Sequence, residues 1–287
     1  KHRKNKRRLD GVKGHTGKHG LIPSIAKFTL EMGRMKHIVS LSGGKDSTAM
    51  LIKMIEMGMV IDDIVFINVM ATPTMGAEFP EMYDYLDKLE GYIGRKITRV
   101  PSVISFDEGF HQTYKKGARK GVIYGYPFTI GAWCNDRLKL RAIEKHYKTY
   151  GEHIRYLGIA ADETKRLNHL TPNCRAPLAD WRMTEQDCIN FLQERDMMNP
   201  LYKKFKRLGC FFCPKQSLSS LRTVRHDYPE LWKMMMQWDV ESPRTFRPDG
   251  TVHDLDRRFA LEDQQITIWS YMEEVQTGSD TGKTEAA

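Results

Sequence analysis

The chain has 287 residues, 40% of them hydrophobic, 28% charged and 10% aromatic, with a formal net charge of +9. That composition supports a buried core and excludes both a disulfide-stapled miniprotein and a wholly disordered chain. No run approaches the roughly 18–20 apolar residues of a membrane span, so no membrane association is expected. The charge is uneven: residues 1–20 hold eight Lys/Arg against Asp10 alone, whereas the other 267 residues carry 37 bases and 35 acids. Residues 1–33 are therefore expected to form a basic, solvated arm, with a salt-sensitive tether for nucleic-acid phosphates as the other reading. Five cysteines are sparse and odd in number. No signal-like apolar stretch follows Lys1-His2-Arg3-Lys4, so the expected setting is cytoplasmic, with thiols free or metal-bound.

Lys36-His37-Ile38-Val39-Ser40-Leu41 is short, β-branched and apolar, and predicts a buried strand that runs into a glycine turn. A helix is predicted over Thr48 to Met57, with Met50, Leu51, Met54 and Ile55 on one face and Gly58 as its stop. Asp63 to Val69 reads as a second strand, and Phe79 to Leu89 as a helix with Pro80 in its first turn. A third strand is expected within Arg95 to Val103, a helix over Arg137 to Tyr150, and a fourth strand over Ile154 to Ile159. This alternation predicts a doubly wound α/β fold with a parallel sheet, over residues 34–182. Beyond it, residues 183–275 are predicted to be a helical C-terminal region. It opens with Thr184 to Arg195, where Thr184 and Asp187 form a near capping box. Residues 276–287 read as a polar tail, in which Gly278 to Thr284 only imitates a phosphate loop.

Ser42-Gly43-Gly44-Lys45-Asp46-Ser47 joins the first strand to the first helix. The glycines let the backbone curl so that successive N–H groups converge on an anion at a helix N-terminus. Ser42 and Ser47 add hydroxyls, Lys45 a cation and Asp46 a magnesium ligand. The string is not a Walker A loop, and it suits capture of pyrophosphate when ATP is cleaved between its α- and β-phosphates.

SGGKDS resembles the signature of the PP-loop ATP pyrophosphatases, and further matches resemble the phosphoadenosine phosphosulfate (PAPS) reductase-like branch. They are Glu78-Phe79-Pro80-Glu81, Trp133-Cys134-Asn135-Asp136-Arg137-Leu138-Lys139, and Gly158 to Arg166 with Ala160 where Arg is usual. Pro177-Leu178-Ala179-Asp180-Trp181 with Thr184 to Asp187, and Gly209-Cys210-Phe211-Phe212-Cys213-Pro214, complete the series. The resemblance implies an adenine nucleotide alpha hydrolase-like fold with the nucleotide at the carboxyl ends of the strands. PAPS-cleaving reductases carry a C-terminal E-C-G-L-H motif, whereas no cysteine follows Cys213 here. With its intact loop, the chain most resembles sulfurtransferases of DNA phosphorothioation and tRNA thiolation. That likeness implies an enzyme that adenylates an acceptor with ATP and Mg2+ and then transfers sulfur. It also implies a nucleic-acid acceptor and a sulfur-donor protein as partners. PAPS or APS reduction, or a non-catalytic nucleotide-binding regulatory module, are the alternatives.

Asp162, Glu163 and Arg166 follow the fourth strand and are expected to hold magnesium or phosphate, as Arg137 and Lys139 could beside Cys134. Cys210-x-x-Cys213 is a spacing shared by zinc sites, iron–sulfur clusters and redox pairs. The resemblance brings Cys134 to the same edge, and Cys174 precedes Pro177. Cys134, Cys174, Cys210 and Cys213 are thus expected to approach one another and hold a [4Fe-4S] cluster, with zinc as the alternative and Cys210 as a catalytic residue. Cys188, among Ile189, Phe191 and Leu192, reads as a buried apolar thiol. Met234-Met235-Met236 reads as helix packing. Lys203, Lys204, Lys206 and Arg207 form a basic patch that could meet a nucleic-acid backbone.

Overall fold

The computed structural model describes residues 35–265. The basic arm and polar tail expected from the sequence lie outside the described residues, as does the end of the last helical stretch. The elements bearing on the site are β1 (Lys36–Leu41), α1 (Lys45–Glu56), β2 (Asp63–Asn68), α2 (Pro80–Ile93), β3 (Thr98–Pro101) and α3 (Phe106–His111). A π-helical turn, Asn135–Leu140, runs directly into α4 (Arg141–Tyr147). After β4 (His153–Leu157) come the short helix α5 (Thr164–Leu167), β5 (Cys174–Arg175) and the short helix α6 (Pro177–Asp180). The C-terminal region contributes α7 (Glu185–Gln193), α8 (Leu218–Asp227), α9 (Pro229–Glu241) and a helix over 252–265.

All five strands are parallel, in the order β3-β2-β1-β4-β5. This is the doubly wound α/β architecture that the alternation predicts. Strands β1 and β2 are apolar on both faces because both faces are covered. Ile38, Val65 and Ile67 pack with Ala142 and Tyr147 on one side. Val39, Leu41, Ile64 and Phe66 point to the other, into the main core with Met50, Phe79 and Leu86. The period of two that separates these sets is the strand pleat. Helix α2 ends where Gly94 takes a left-handed φ of +64°, a conformation that glycine adopts without a Cβ penalty.

The chain winds outward from β1 through β2 and β3, then returns to the other side of β1 with β4. The order therefore reverses between β1 and β4, and the crevice at their carboxyl ends is where such sheets take ligands. The C-terminal region closes over this crevice. Helix α7 lies against α1, and its expected capping box is present: Thr184 Oγ1 accepts from Asp187 N while Asp187 accepts from Thr184 N. Phe212 stacks on Phe106 with ring centroids 3.9 Å apart, and Trp238 meets Phe106 edge-on at 4.9 Å. These contacts bring α3, the C-x-x-C segment and α9 into one aromatic core.

Candidate nucleotide site and thiol cavity

The Ser42–Ser47 loop begins one residue past β1. Gly43 has φ +71° and lets the backbone turn, and a Cβ there would sit 2.4 Å from Met82 Sδ. Gly44 caps α1 without a side-chain bond, which leaves first-turn N–H groups for other partners. Lys45 N donates to the Tyr202 hydroxyl at 3.0 Å. Ser42 N donates to Ser47 Oγ at 3.1 Å, and Ser47 Oγ donates to the Gly44 carbonyl at 3.1 Å. Asn199 Nδ2 donates to the Gly43 carbonyl at 2.9 Å and fixes the loop from beneath. From the neighbouring strand, Gly158 brings its backbone against the start of α1. A Cβ there would lie 2.5 Å from both Ser47 Cα and Ser47 N.

A cavity of about 450 Å³ opens above this loop. Its walls include Ser42, Gly44 to Ser47, Glu78, Lys139, Glu163, Arg166, Glu185, Tyr202, and Lys206 to Gly209. The Lys45 ammonium contacts Asp46 at 2.9 Å and Glu185 at 2.6 Å. Burial works against its charge, but the two carboxylates outweigh burial and raise its pKa. Asp46 is also raised, by burial first and then by Glu185 and Glu163, against the pull of Lys45. One ammonium is thus shared among neighbouring carboxylates, and the surplus negative charge suits a divalent cation arriving with a polyphosphate. Glu163 accepts from Ala160 N at 3.1 Å and pairs with Arg166 at 2.7 Å. Asp162 departs from expectation. It accepts from Glu185 N at 3.2 Å, where it caps the start of α7, and it does not line the cavity.

A second cavity, of about 540 Å³, shares Lys139 and residues Arg207 to Gly209 with the first. Cys134, Cys210 and Cys213 line it, with Trp133, Phe212 and Lys215. The C-x-x-C segment is pinned by Phe211 N, which donates to the Ala77 carbonyl at 3.0 Å, beside buried Glu78. Burial pushes the Cys134 thiol up to about 11, with Cys213 adding to it. Burial also drives Cys210 well above its ordinary value, and the Glu78 carboxylate reinforces it. Glu78 is itself raised by burial, against the opposing charge of Lys139. Without a metal the Cys134 and Cys210 thiols are protonated at neutral pH.

The four-cysteine ligand set expected from the sequence is not assembled. Cys174 lies in β5, paired with Arg155 of β4; Thr171 Oγ1 is 3.1 Å from its sulfur, and it does not line the thiol cavity. The reason is local: a chain reversal before β5, with Cys174 N bonded to the Thr171 carbonyl, places it on the sheet edge. Among the described residues, no group of three His, Cys, Asp or Glu side chains is placed to hold one metal ion. The soft sulfurs of Cys134, Cys210 and Cys213 fit iron–sulfur or zinc chemistry as donors, but they do not close on an ion as they stand. Cys188 is buried in α7, and its thiol is pushed up to about 12 by burial and by Asp46. Arg137 turns away from both cavities toward Gln112 and Tyr124. The basic patch divides: Lys206 and Arg207 reach the cavity, while Lys204 pairs with Asp227 and Glu81.

A family model described as the phosphoadenosine phosphosulfate reductase domain matches residues 36–216, which include both cavities. The chain belongs to this family. Among curated proteins it is 29% identical over 221 residues to an uncharacterized protein of Methanocaldococcus jannaschii, covering 72% of this chain and 42% of that one. A second uncharacterized protein of the same organism is 28% identical over 247 residues, covering 80% and 53%. The chain thus spans about half the length of these archaeal relatives. An uncharacterized nin region protein of Escherichia phage lambda is 27% identical over 210 residues, covering 65% and 68%. Two solved structures are similar at low sequence identity. One is a PAPS reductase from Candida auris in complex with phosphate (14% identity, TM-score 0.41, covering 70% of this chain and 98% of that one). The other is the U34-tRNA thiolase NcsA from Methanococcus maripaludis with its [4Fe-4S] cluster (15% identity, TM-score 0.36, 82% and 77%). No helix among the described residues is long and apolar enough to cross a membrane.

Tyr202, Asn199 and Glu185 are the site residues that the sequence did not single out. Glu185 stood only inside the Thr184 to Asp187 motif, and nothing local marks the other two, although Asn199 before Pro200 is a cap signature.

Proposed function

We propose that this PAPS reductase-family chain is an ATP-α,β-cleaving, adenylating enzyme that transfers sulfur to an acceptor. One observation supports the reading above others: the nucleotide cavity and the thiol cavity share Lys139 and the Arg207–Gly209 wall. In this reading the Ser42–Ser47 loop and Lys45 hold the pyrophosphate portion of ATP. Asp46 orients Mg2+, and Arg166, steered by Glu163, contacts a phosphate. An acceptor oxygen attacks the α-phosphorus and pyrophosphate leaves, so the acceptor becomes an adenylate. A sulfur nucleophile then displaces AMP, and the electron pair of the breaking bond leaves on the AMP phosphate. The sulfur would arrive from a donor protein at the sulfide level, and Cys210 would act as a ligand of the group that presents it. Cys134, Cys210 and Cys213 are the residues that would hold a [4Fe-4S] cluster, with zinc as the other occupant. Such a group would carry the sulfur when bound.

The test is product analysis with α-labelled ATP, Mg2+, a sulfide source and pooled tRNA or DNA as acceptor. AMP as the labelled product, dependent on Lys45, supports the reading. ADP as the product, or sulfite release from PAPS with no cleavage of ATP, overturns it in favour of a kinase-like reaction or of reduction. ATP bound but never cleaved under any acceptor condition leaves a regulatory module.

A further inference from the structure

Residues 112–131 link α3 to the thiol cavity, and they contain four bases and no acid. The segment folds back on itself. Thr113 pairs with Ile123, Tyr114 N donates to the Val122 carbonyl at 2.9 Å, and Gly121 N donates to the Tyr114 carbonyl at 3.0 Å. Gly117 and Gly121 take φ +79° and +85° at its tip, where a side chain would strain the turn. Lys115, Lys116, Arg119 and Lys120 are all exposed on this hairpin. No salt bridge among the described residues engages these four, and among the cation–ring contacts Arg119 meets only the Tyr114 ring of its own hairpin, at 6.0 Å. Uncompensated like charges crowded on a short hairpin repel one another, and a polyanion relieves that repulsion.

The hairpin is not a free tether. Tyr114 accepts a hydrogen bond from Arg244 Nη2 at 2.7 Å, and the Arg244 guanidinium lies over the Phe128 ring at 4.0 Å. Phe128 nevertheless stays 53% exposed, and Ile130 beside it is 89% exposed. Tyr124, on the return strand, accepts from Arg137 Nη2 at 2.9 Å, and Trp133 Nε1 donates to the Gly125 carbonyl at 3.2 Å. Trp133 and Cys134 are neighbours on the wall of the thiol cavity, as are Pro127 and Gly131. The return limb of the cationic hairpin thus runs through Phe128 into the wall of the cavity that holds the cysteines, where Pro127 and Gly131 lie.

Cations alone would suit any polyanion; an exposed ring held beside them suits one whose planar bases are free to stack. We propose that the Lys115–Lys120 hairpin and Phe128 form a docking surface for single-stranded nucleic acid. The hairpin holds the phosphates, and Phe128 stacks an unpaired base next to the thiol cavity. The proposal rests on the reading of this site as a transferase and names its acceptor class, but it is tested by binding alone, so its failure is separable from failure of that reading.

The experiment uses the full chain and fluorescence anisotropy with labelled single-stranded RNA, single-stranded DNA and duplex DNA of equal length, from 50 to 200 mM salt. Each lost phosphate contact lowers the slope of log affinity against log salt by about 0.7 for single strands. Lys115→Ala with Lys116→Ala should therefore reduce the slope by about 1.4, and substitution of all four bases by about 2.8. Phe128→Ala should weaken single-strand binding about tenfold or more without changing the slope. ATP binding, measured on the same variants, should match the parent. Slope and affinity unchanged in the four-base variant would overturn the proposal, as would equal or tighter binding of the duplex. Comparison of the RNA and DNA arms tells which polymer is preferred.

Discussion

Gly158 offers a sharp test of the site's construction, because its Cβ would meet backbone rather than a movable side-chain tip. An alanine there places its methyl 2.5 Å from Ser47 Cα and N, about 1 Å inside ordinary contact. Neither atom can rotate away, so β4 must separate from the start of α1. Overpacking costs about 1–3 kcal/mol, and the immovable neighbours put this case at the upper end. For a chain of this size that is a fall in melting temperature of roughly 6–12 °C. The displaced atoms belong to the phosphate loop, and a shift of about 1 Å in such a site can cost about 100-fold in reaction rate. Two further substitutions calibrate the result. Gly43→Ala carries a left-handed strain of about 1–2 kcal/mol, but the atom its Cβ meets is the flexible tip of Met82. Gly44→Ala has an ordinary φ of −82° and meets only two hydroxyls, Tyr202 at 3.3 Å and Ser42 at 3.4 Å. Thermal melts and ATP titrations should rank the damage as Gly158, then Gly43, then Gly44. A Gly158→Ala protein that melts with the parent and binds ATP equally would refute the close approach on which the site is built.

Lys45→Ala should weaken ATP binding about 10- to 150-fold, the worth of one charge-assisted hydrogen bond, as read by calorimetry; unchanged affinity would remove Lys45 from the site. Glu185→Gln takes away a half-exposed competitor for the Lys45 ammonium, so ATP should bind about 1.5- to 5-fold more tightly, and weaker binding would show Glu185 to be a needed partner instead. Cys210→Ser should abolish bound iron or zinc in protein purified without oxygen, whereas Cys174→Ser should retain it because Cys174 lies outside the cavity; equal loss in both would return Cys174 to the ligand set. His111 is opposed by partial burial, but Glu241 and the Asp107 carbonyl hold its charged form and raise its pKa above 6.5. Its contribution to stability is therefore fully present below pH 6.5 and lost as pH rises through the raised value. The melting-temperature gap between parent and His111→Ala should close on going to pH 8.5, and a gap that widens with pH would contradict the pairing.

The strands were legible because they are continuous apolar runs with sharp stops. β1 matches its sequence reading from Lys36 to Leu41, and β2 ends at Asn68, one residue early. Helix α1 begins at Lys45, three residues before the apolar face that announces it, since Lys45 and Asp46 start the helix with polar side chains. The π-helical turn at Asn135–Leu140 has no signature in a 3.6-residue pattern, and it aims Lys139 into both cavities. β5 is only two residues long, too short to show alternation. That is why Cys174 looked like a loop ligand and is instead an edge-strand residue.

The site itself was half legible, and the boundary follows from sequence distance. Strand, glycine turn and helix are contiguous, so SGGKDS could be placed on the turn between β1 and α1 from its letters. What holds that turn arrives from far along the chain: Glu185, Asn199 and Tyr202 lie 140 to 157 residues beyond their loop partners. Two of them hold donors that a polyphosphate would also seek, and the third holds the loop backbone. Tyr202 accepts from Lys45 N, Glu185 accepts from Lys45 Nζ, and Asn199 holds the Gly43 carbonyl. Tyr202 is also followed within a few residues by Lys206, Arg207 and Gly209, which wall the nucleotide cavity, and by Cys210. A polyphosphate that takes the Lys45 N–H from the Tyr202 hydroxyl would therefore act on the stretch that carries the C-x-x-C pair. The segment that walls the first cavity and the segment that presents Cys210 and Cys213 to the second are one stretch of chain, with Arg207, Leu208 and Gly209 lining both.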